Sequence, residues 1–502
     1  MLCSLISTAP GEADREPVHV LAVLVDGAEH AVRDRGRPRI APVVVGTPME
    51  VVGPPFGNDG DRRTGTSPKL SVHRVLRNGD FLDHVWRGDI AGLHADAHAA
   101  AVHLQIVCEL SAAAHTHAAR PPTVERIVFH VGVILLLFVW SGMHIYVLWR
   151  ASSVPVVARH LPRGVLWAVS CILWMSYIVA RIVGHFAPGV IARFLEALGA
   201  NWIGVLFLLL VSLLVVDIVT VFGLLLPRFA PSLRGWALVA GGVLSAFALV
   251  QGLRAPVVQS YEVQLAGLPA GSDGTVLVLA SDFHLGTLLG RNWLAARIDQ
   301  IEAQKPDIIV LGGDIIEGDD PSENELLPSF RWLSAPLGVW GVTGNHEFHG
   351  GAEGSANLLE ESGIHVLHDR WAEVRPGLIL AGVDDLTSRR RHGETGNFVE
   401  RALAGRPVGA ATVLVSHTPW QAELAAKSTV GLMLSSHTHE GQIWPFGYLV
   451  RFTHPLLSGK YELNGKPIIV CRGTGTWGPR MRLWQRGEIV RITLRSFPAR
   501  QE

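Results

Sequence analysis

Cysteine is scarce in this sequence: four residues are scattered over 502 positions, and no Cys-x-x-Cys pair occurs. This scarcity argues against a disulfide framework and against a structural zinc cage. Charged residues are also few, at 17%, and the formal net charge is −1, so no global basic surface for nucleic acid is present. Apolar residues make up 48% of a chain long enough for two or three domains, which indicates membrane-spanning segments.

The first 120 residues contain little lysine and no sustained apolar period. Lys69 is their one lysine, and residues 1–6 are too short and too uncharged for a secretory signal. We predict that residues 1–120 are poorly structured, and we hypothesise that they represent an over-extended gene start. Their histidines are interpreted as compositional bias rather than as a metal site.

Residues 121–254 contain four long apolar stretches, at 127–149, 165–183, 202–226 and 236–253. About 20 apolar residues cross a bilayer, and tryptophans near the ends of these stretches are typical of membrane interfaces. We therefore predict an α-helical membrane domain of about four spans. A buried soluble bundle is the alternative, and four consecutive runs of this length argue against it.

Charged residues around the spans bear on orientation and on function. The loops after the first and third spans are rich in arginine, so they are predicted to be cytoplasmic and the C-terminal domain extracytoplasmic. His130 and His144 lie near the two ends of the first span and are predicted to reach the interface. Asp217 lies deeper, and a pairing role with a neighbouring helix is favoured over a transport role.

Five apolar runs in the second half of the chain each end in residues that bind metals. Run 275–280 precedes Asp282 and His284, run 307–311 precedes Asp314, run 338–342 precedes Asn345 and His346, run 412–415 precedes His417, and run 430–434 precedes His437 and His439. Open α/β sheets place their active sites just beyond the strand C-termini, so these residues are predicted to converge.

The residue types in this set indicate the chemistry. Carboxylates, an amide and imidazoles suit Mn, Fe or Zn. Seven potential ligands are too many for one ion and about right for two ions that share a carboxylate. Two ions about 3.5–4 Å apart can hold both the attacking and the leaving oxygen of a phosphoryl displacement.

The motifs Asp-x-His, Gly-Asp, Gly-Asn-His-Glu, Ser-His and His-x-His occur in this order. Together they resemble the calcineurin-like metallophosphoesterases, most closely a membrane-associated bacterial branch. The resemblance covers about residues 255–497 and includes a C-terminal signature at 471–478, followed by Arg482. It implies a four-layer α/β sandwich, with two mixed sheets flanked by helices. The predicted order is a connector at 255–274 and a metallophosphoesterase domain at 275–502.

The resemblance also implies a role for each motif residue. The first metal would be held by Asp282, His284 and His439, and the second by Asn345, His417 and His437, with Asp314 bridging the two. His346 would face the phosphoryl group and be oriented by a carboxylate such as Glu347. A water or hydroxide bridging the two divalent metals would be the nucleophile.

Two residues depart from the family pattern, and several others have an open role. Ser436 replaces a glycine and tests how tight that turn is, while Glu440 could repel an anionic substrate or alter metal choice. Asp384 and Asp385 end another apolar strand. They could support the site from behind the ligands or lie in a solvated turn, and the sequence is equally compatible with both. The basic patch 389–392 is interpreted as a solvated loop with phosphate attraction as the alternative, and His454 is a candidate lining residue of the substrate cleft.

The sequence thus predicts a multi-pass, membrane-anchored phosphoesterase with two divalent metal ions, acting on phosphomonoesters or phosphodiesters. The spans suggest lipid-linked or envelope substrates. One alternative is a membrane sensor or scaffold whose phosphoesterase domain binds a ligand without turnover. A second is a transporter with a regulatory hydrolase domain. The oligomeric state is left open.

Overall fold

The computed structural model describes residues 33–34, 37–38, 124–186, 189–317, 326–348, 352–391 and 393–497. Within the N-terminal stretch it describes one antiparallel pair, Arg33–Asp34 with Arg37–Pro38. The other predictions for residues 1–120 lie outside the described residues, as does His392. Residues 129–502 belong to one compact unit.

Four long apolar helices precede the α/β region, as predicted. They are α1 (Val124–Ser152), α3 (Arg163–Phe186), α4 (Val190–Val219) and α5 (Ala230–Leu253), with the short α2 (Pro155–His160) between the first two. Each contains a segment long and apolar enough to cross a membrane. Helix α4 begins and ends earlier than hydropathy predicts. Arg193 and Glu196 lie in its first turns and lower the hydropathy there, so the sequence predicted a later start. Val221 and Phe222 take positive φ angles just beyond its last residue, which ends the helix earlier than the apolar run ends.

The helices pack closely, and their buried polar groups are paired. A β-carbon on Gly199 of α4 would lie 2.6 Å from the Cα of Tyr177 in α3, so glycine allows the two backbones to touch. Asp217 is fully buried and forms ion pairs with Arg150 and Arg234. The pairing role predicted for Asp217 agrees with these contacts.

His144 lies elsewhere than predicted. Its side chain is buried rather than at the interface, and Trp202 Nε1 donates to its Nε2 at 2.9 Å. The position of His144 in the sequence did not reveal this burial, because the side chain is covered by Trp202 of the neighbouring helix α4.

The α/β region contains two six-stranded mixed sheets. The first has the order β1 (Val257–Gln264), β12 (Glu488–Arg495), β2 (Val276–Ala280), β3 (Ile308–Leu311), β4 (Val339–Gly341) and β5 (His365–Val366). The second has the order β10 (Gly459–Leu463), β11 (Lys466–Val470), β9 (Leu432–Ser435), β8 (Ala411–Ser416), β7 (Leu378–Val383) and β6 (Arg370–Arg375). Strands β2 to β5 run parallel to one another, as do β7, β8, β9 and β11.

The two sheets pack face to face, and helices cover their outer faces. A single buried cluster contains residues of both sheets, among them Leu279, Val310, Val413 and Leu434. Helix α6 (Arg291–Glu302) covers the outer face of the first sheet, and α9 (Phe398–Ala402) and α10 (Ala422–Lys427) cover that of the second. The remaining helices are α7 (Ala352–Glu361), α8 (Leu386–Arg391) and α11 (Gly447–Val450). This arrangement confirms the predicted four-layer fold.

The structure differs from the prediction within residues 255–274. Strand β1 occupies 257–264 and pairs with β12 over its whole length, so the predicted connector contributes an edge strand. Only Val263 of this strand is buried, which is why its sequence lacks the apolar run that marks the other strands.

Candidate metal centre

Strand ends of both sheets deliver the predicted ligands to one buried place. Asp282 and His284 follow β2, Asp314 follows β3, Asn345 follows β4, His417 follows β8, and His437 and His439 follow β9. Three groups of potential metal-binding side chains result, namely Asp282–His284–His439, His284–Asp314–His346 and Asp314–His417–His437. Members of five separate motifs therefore meet at one edge of the sandwich.

Two of these groups share Asp314 as a neighbour. In the first, His439 Nε2 lies 3.0 Å from His284 Nε2 and 3.4 Å from Asp282 Oδ1. In the second, His417 Nε2 lies 3.1 Å from Asp314 Oδ2 and 3.2 Å from His437 Nδ1. Asp314 Oδ2 is also 3.8 Å from His284 Nε2, so one carboxylate adjoins both groups.

Backbone conformation at this centre is unusual. Asp282, His284, Asp314, His437 and His439 all have φ between 47° and 73°, in the left-handed region that residues with side chains rarely adopt. Such conformations persist only where the surroundings hold them, and they cluster at functional sites. Gly313 adds a close approach, since a β-carbon there would lie 2.7 Å from His417 Nδ1.

Unpaired acceptors show that this centre fits cations. Asp282 Oδ2 and Asn345 Oδ1 are buried and have no hydrogen-bond partner among the described residues. Burial, followed by the neighbouring histidines, lowers the pKa of His437 and of His439 well below the usual range, which keeps both imidazoles in the neutral form that binds metal. The oxygen and nitrogen donors suit Mn, Fe or Zn. Divalent metal ions are therefore the cofactors that the residues present can hold.

His346 has a carboxylate partner that the sequence did not reveal. Glu317 Oε2 lies 3.3 Å from His346 Nδ1, and Glu317 Oε1 lies 2.9 Å from His284 Nδ1. Burial lowers the pKa of His346, but the charges of Glu317 and Asp314 outweigh burial and raise it to about 9. Glu317 escaped prediction because it ends no apolar run; its position three residues after Asp314 was the one available signal.

Glu347, predicted to orient His346, is placed differently. Its carboxylate accepts hydrogen bonds from the backbone NH groups of Asp314, Ile315, Ile316 and Gly344. It thus holds together the loops that follow β3 and β4, and Glu317 is the carboxylate beside the His346 ring. The spacing in the motif could not distinguish the two roles, because both glutamates lie in the loops that follow β3 and β4.

Asp384 and Asp385 support the site rather than form a solvated turn. Asp385 is fully buried and accepts hydrogen bonds from Thr418 Oγ1 and from the NH of Ser388. Thr418 adjoins His417, so this contact fixes the loop after β8. Asp384 accepts from Thr343 Oγ1 at 3.0 Å, which ties the loop after β7 to the loop after β4.

The basic patch and His454 take clear positions. Arg389 is held by the carboxylates of Asp369 and Asp384 at 2.8 and 3.0 Å, so it stabilises the domain rather than offering a free cation.

His454 stacks on Trp420 and lies 5.0 Å, ring centre to ring centre, from the predicted ligand His437. His454 therefore borders the metal centre.

Both departures from the family pattern are accommodated. Ser436 is fully buried, donates to the carbonyl of Gly312 at 3.0 Å and accepts from Ser281 Oγ at 2.7 Å. Its hydroxyl thereby connects strand ends from the two sheets. Glu440 lies 3.3 Å from Arg472 Nη1, and this ion pair offsets the negative charge beside His439.

Arg482 secures the C-terminal signature next to His439. It is almost fully buried and donates to the carbonyls of Arg472 and Gly475 at 2.9 and 2.8 Å. A further contact of 3.4 Å reaches the carbonyl of His439. Burial lowers the pKa of this guanidinium to about 10, and it keeps its charge at neutral pH.

Comparison with known proteins agrees with this geometry. A model of the calcineurin-like phosphoesterase family matches residues 276–441. An uncharacterised metallophosphoesterase of Aquifex aeolicus (strain VF5) is 32% identical over 240 residues, 47% of this chain and 91% of the relative. Two relatives are described as a transmembrane protein with a metallophosphoesterase domain. The Danio rerio protein is 29% identical over 74% of this chain and 89% of its own length. The Bos taurus protein is 30% identical over 52% of this chain and 62% of its own length.

The matched residues include the loops that form the metal centre, and the relatives include membrane proteins. This chain is therefore a membrane protein of the calcineurin-like metallophosphoesterase family and a metal-dependent phosphoric ester hydrolase.

Proposed function

We propose that the chain hydrolyses phosphate esters at a centre of two divalent cations bridged by Asp314, with His346 acting on the phosphoryl group. The observation that carries this proposal is the position of Asp314 Oδ2 between the two ligand groups, 3.1 Å from His417 Nε2 and 3.8 Å from His284 Nε2. When bound, two such cations supply Lewis acids for the phosphoryl oxygens and lower the pKa of an attacking water.

The protein side chains have distinct roles in this proposal. Asp282, His284 and His439 hold one cation. Asn345, His417 and His437 hold the other, and the unpaired Oδ1 of Asn345 is the donor atom on its side.

His346 supplies charge and a proton. The Glu317 carboxylate beside Nδ1 raises the pKa of His346 and favours its imidazolium form. A fixed positive charge stabilises the negative charge that develops on phosphoryl oxygens, and the same group can protonate the leaving oxygen.

The experiment is hydrolysis of bis-p-nitrophenyl phosphate and p-nitrophenyl phosphate by the full-length protein in detergent, with added Mn and with chelator. We expect Mn-dependent cleavage that falls at least 100-fold in His346→Ala, because general acid–base catalysis contributes about 10²–10⁴-fold. Asp314→Asn should lose bound metal as well as activity. His365→Ala, which changes an exposed histidine on β5, is the matched control.

The outcome separates this proposal from its alternatives. Full metal content and activity in Asp314→Asn would show that the bridging role is wrong. Two bound metals without cleavage of either ester would favour the sensor or scaffold that binds without turnover. The transporter alternative needs polar groups free within the spans, and the ion pairs of Asp217 with Arg150 and Arg234 argue against Asp217 in that role.

We further propose that the phosphoesterase domain is extracytoplasmic. Arg150 ends α1, Arg163 begins α3 and Arg234 lies in the first turns of α5, so all three lie at the bundle end opposite the domain. Positive residues favour the cytoplasmic side. Val408 is fully exposed on the domain, so Val408→Cys in intact cells should react with a membrane-impermeant maleimide. Labelling only after the cells are lysed would show that the domain is cytoplasmic.

A further inference from the structure

Two loops beside the metal centre also pack against membrane-spanning helices α4 and α5. The backbone NH of Arg482 donates to the carbonyl of Ala248 at 2.9 Å, and the NH of Arg480 donates to Asn201 Oδ1 at 2.9 Å. A single apolar cluster joins the loops to the helices and contains Leu208, Ala248, Ile443, Met481 and Leu483. The loop after His439 and the loop at 477–484 are therefore fixed to the spans themselves.

The position of these contacts along the helices gives their depth. Asp217, with its arginine partners, marks the opposite end of the bundle. At 1.5 Å per residue, Leu208 lies about 14 Å from Asp217 along α4, and Ala248 lies about 21 Å from Arg234 along α5. A hydrocarbon core is about 30 Å thick. If the far boundary lies about 5 Å beyond Asp217, the near boundary lies about 25 Å from Asp217, and both contacts lie inside the hydrocarbon core.

The same loops expose large apolar side chains, which we call the apolar rim. The rim consists of Trp444, Phe446, Tyr448, Leu449, Phe452 and Trp484. Phe452 is 85% exposed, Tyr448 61% and Leu449 57%. Clusters of this kind mark interaction surfaces, and aromatic residues are enriched where membranes meet water.

The rim is continuous with the surface of the spans. The ring of Phe446 lies 5.9 Å from that of Phe207 in α4, and the ring of Trp484 lies 5.8 Å from that of Phe247 in α5. Phe247 is an exposed residue of a membrane-spanning helix. Lipid that surrounds α5 at this depth therefore also reaches the rim.

A cleft of about 220 Å³ adjoins both the rim and the metal centre, because its lining includes Trp444, Tyr448 and Trp484 of the rim together with His439. Arg482 and Glu440 also line it, and the Glu440 carboxylate is paired with Arg472. Arg451, also at the cleft, supplies a positive charge. The lining thus combines a predicted metal ligand and a positive charge with aromatic side chains, which matches a molecule with a phosphate group and an apolar chain.

We propose that the apolar rim lies in the bilayer and that the substrate is a membrane-resident lipid phosphate ester, which enters the cleft from the leaflet on the phosphoesterase side. This inference rests on the proposed function. In the reaction, water adds its oxygen to phosphorus, the bond from phosphorus to the leaving oxygen breaks, and that oxygen takes up a proton. The apolar product stays in the membrane, and the polar product leaves into water.

The depth of the rim in the bilayer is tested by fluorescence quenching, a measurement that does not depend on enzyme activity. In a full-length variant whose Cys3, Cys108 and Cys171 are replaced by serine, Leu449→Cys carries an environment-sensitive fluorophore in lipid nanodiscs. Nitroxide-labelled lipids should quench this fluorophore at least threefold, and should leave the same label at Val408→Cys unquenched. Equal quenching at the two positions would overturn membrane contact by the rim.

Substrate class is tested with two probes in parallel. The full-length protein in nanodiscs is given dioleoyl phosphatidic acid and dioleoyl phosphatidylglycerol as lipid esters, and bis-p-nitrophenyl phosphate as a soluble ester. Leu449→Ser with Phe452→Ser should reduce lipid hydrolysis at least 10-fold and leave soluble ester hydrolysis within twofold, because neither residue lines the cleft. Trp332→Ser, an exposed apolar residue elsewhere on the domain, is the matched control.

The possible outcomes are distinct. Hydrolysis of the soluble ester without hydrolysis of either lipid would overturn the lipid substrate and leave the proposed function standing. Failure on all three esters with metal bound would overturn the proposed function itself. An unchanged rate on lipid in the double variant would show that the apolar rim has no part in substrate access.

Discussion

Replacement of Glu317 by glutamine tests how His346, the proposed acid, is positioned. The Glu317 carboxylate is partly buried and lies 2.9 Å from Nδ1 of His284 and 3.3 Å from Nδ1 of His346. Glutamine has nearly the same size but lacks the charge, so the variant changes electrostatics and hydrogen bonding with little change in packing. One substitution thus disturbs the predicted metal ligand His284 and the proposed acid His346 together.

The expected magnitude follows from these two contacts. A hydrogen bond to a charged group contributes about 1.5–3 kcal/mol, and loss of the partner of a metal-binding histidine costs about 10–100-fold in metal affinity or activity. We expect kcat to fall about 100-fold because both contacts are affected, and the Mn concentration at half activation to rise about 10-fold. KM for the soluble ester should stay within about threefold, since Glu317 contacts histidines rather than substrate.

The assay is steady-state hydrolysis of bis-p-nitrophenyl phosphate by the full-length protein over a range of Mn concentrations. Glu462→Gln, at an exposed position on β10, is the matched control and should equal the unmodified protein. The reasoning is refuted if Glu317→Gln keeps both its kcat and its Mn dependence. A purely structural role for Glu317 would lower the amount of folded protein without changing the Mn dependence of the folded fraction.

Four further outcomes are expected. Chelation should lower the unfolding temperature and Mn should restore it, because a ligand at 100 times its Kd stabilises the folded state by about 2.7 kcal/mol; an unchanged midpoint would contradict the metal centre. Ser436→Ala should cost about 1–2 kcal/mol in unfolding free energy with metal content unchanged, since it removes a buried hydroxyl that joins two strand ends. Glu347→Gln should cost more, about 2–4 kcal/mol by the same measurement, because four backbone NH groups lose a charged acceptor. Asp217→Asn should lower the yield of folded protein in detergent, as it leaves Arg150 and Arg234 buried without a counter-charge, a loss of about 3–5 kcal/mol; a normal yield would show that the pair is dispensable.

Much of the architecture could be predicted because its signals are local. Each span is marked by a long apolar run, and each strand that leads to the site is marked by a short apolar run followed by a candidate metal ligand. Strand β1 lacked such a run, since it is an edge strand with one buried residue, and it was predicted as a connector. Helix α4 was predicted too short at its start because Arg193 and Glu196 interrupt its hydropathy.

Side-chain partners at the site were less accessible to sequence reasoning. Glu317 and Glu347 both lie close to Asp314 in the folded chain, and either could have been the partner of His346. The choice depends on where each loop turns, and on the positive φ angles of Asp314 and its neighbours, which no local pattern encodes. The same holds for Asp385, whose burial depends on the loop after β8.

The sequence by itself determined the family and the four apolar helices, and it predicted the set of candidate metal ligands, because these properties depend on residue type, order and spacing. Only the tertiary structure decided which carboxylate contacts His346, how Ser436 joins the two sheets, and where the apolar rim lies relative to the spans. These depend on contacts between residues far apart in the chain. Such contacts arise from the packing of whole sheets and helices, and short stretches of sequence do not specify them.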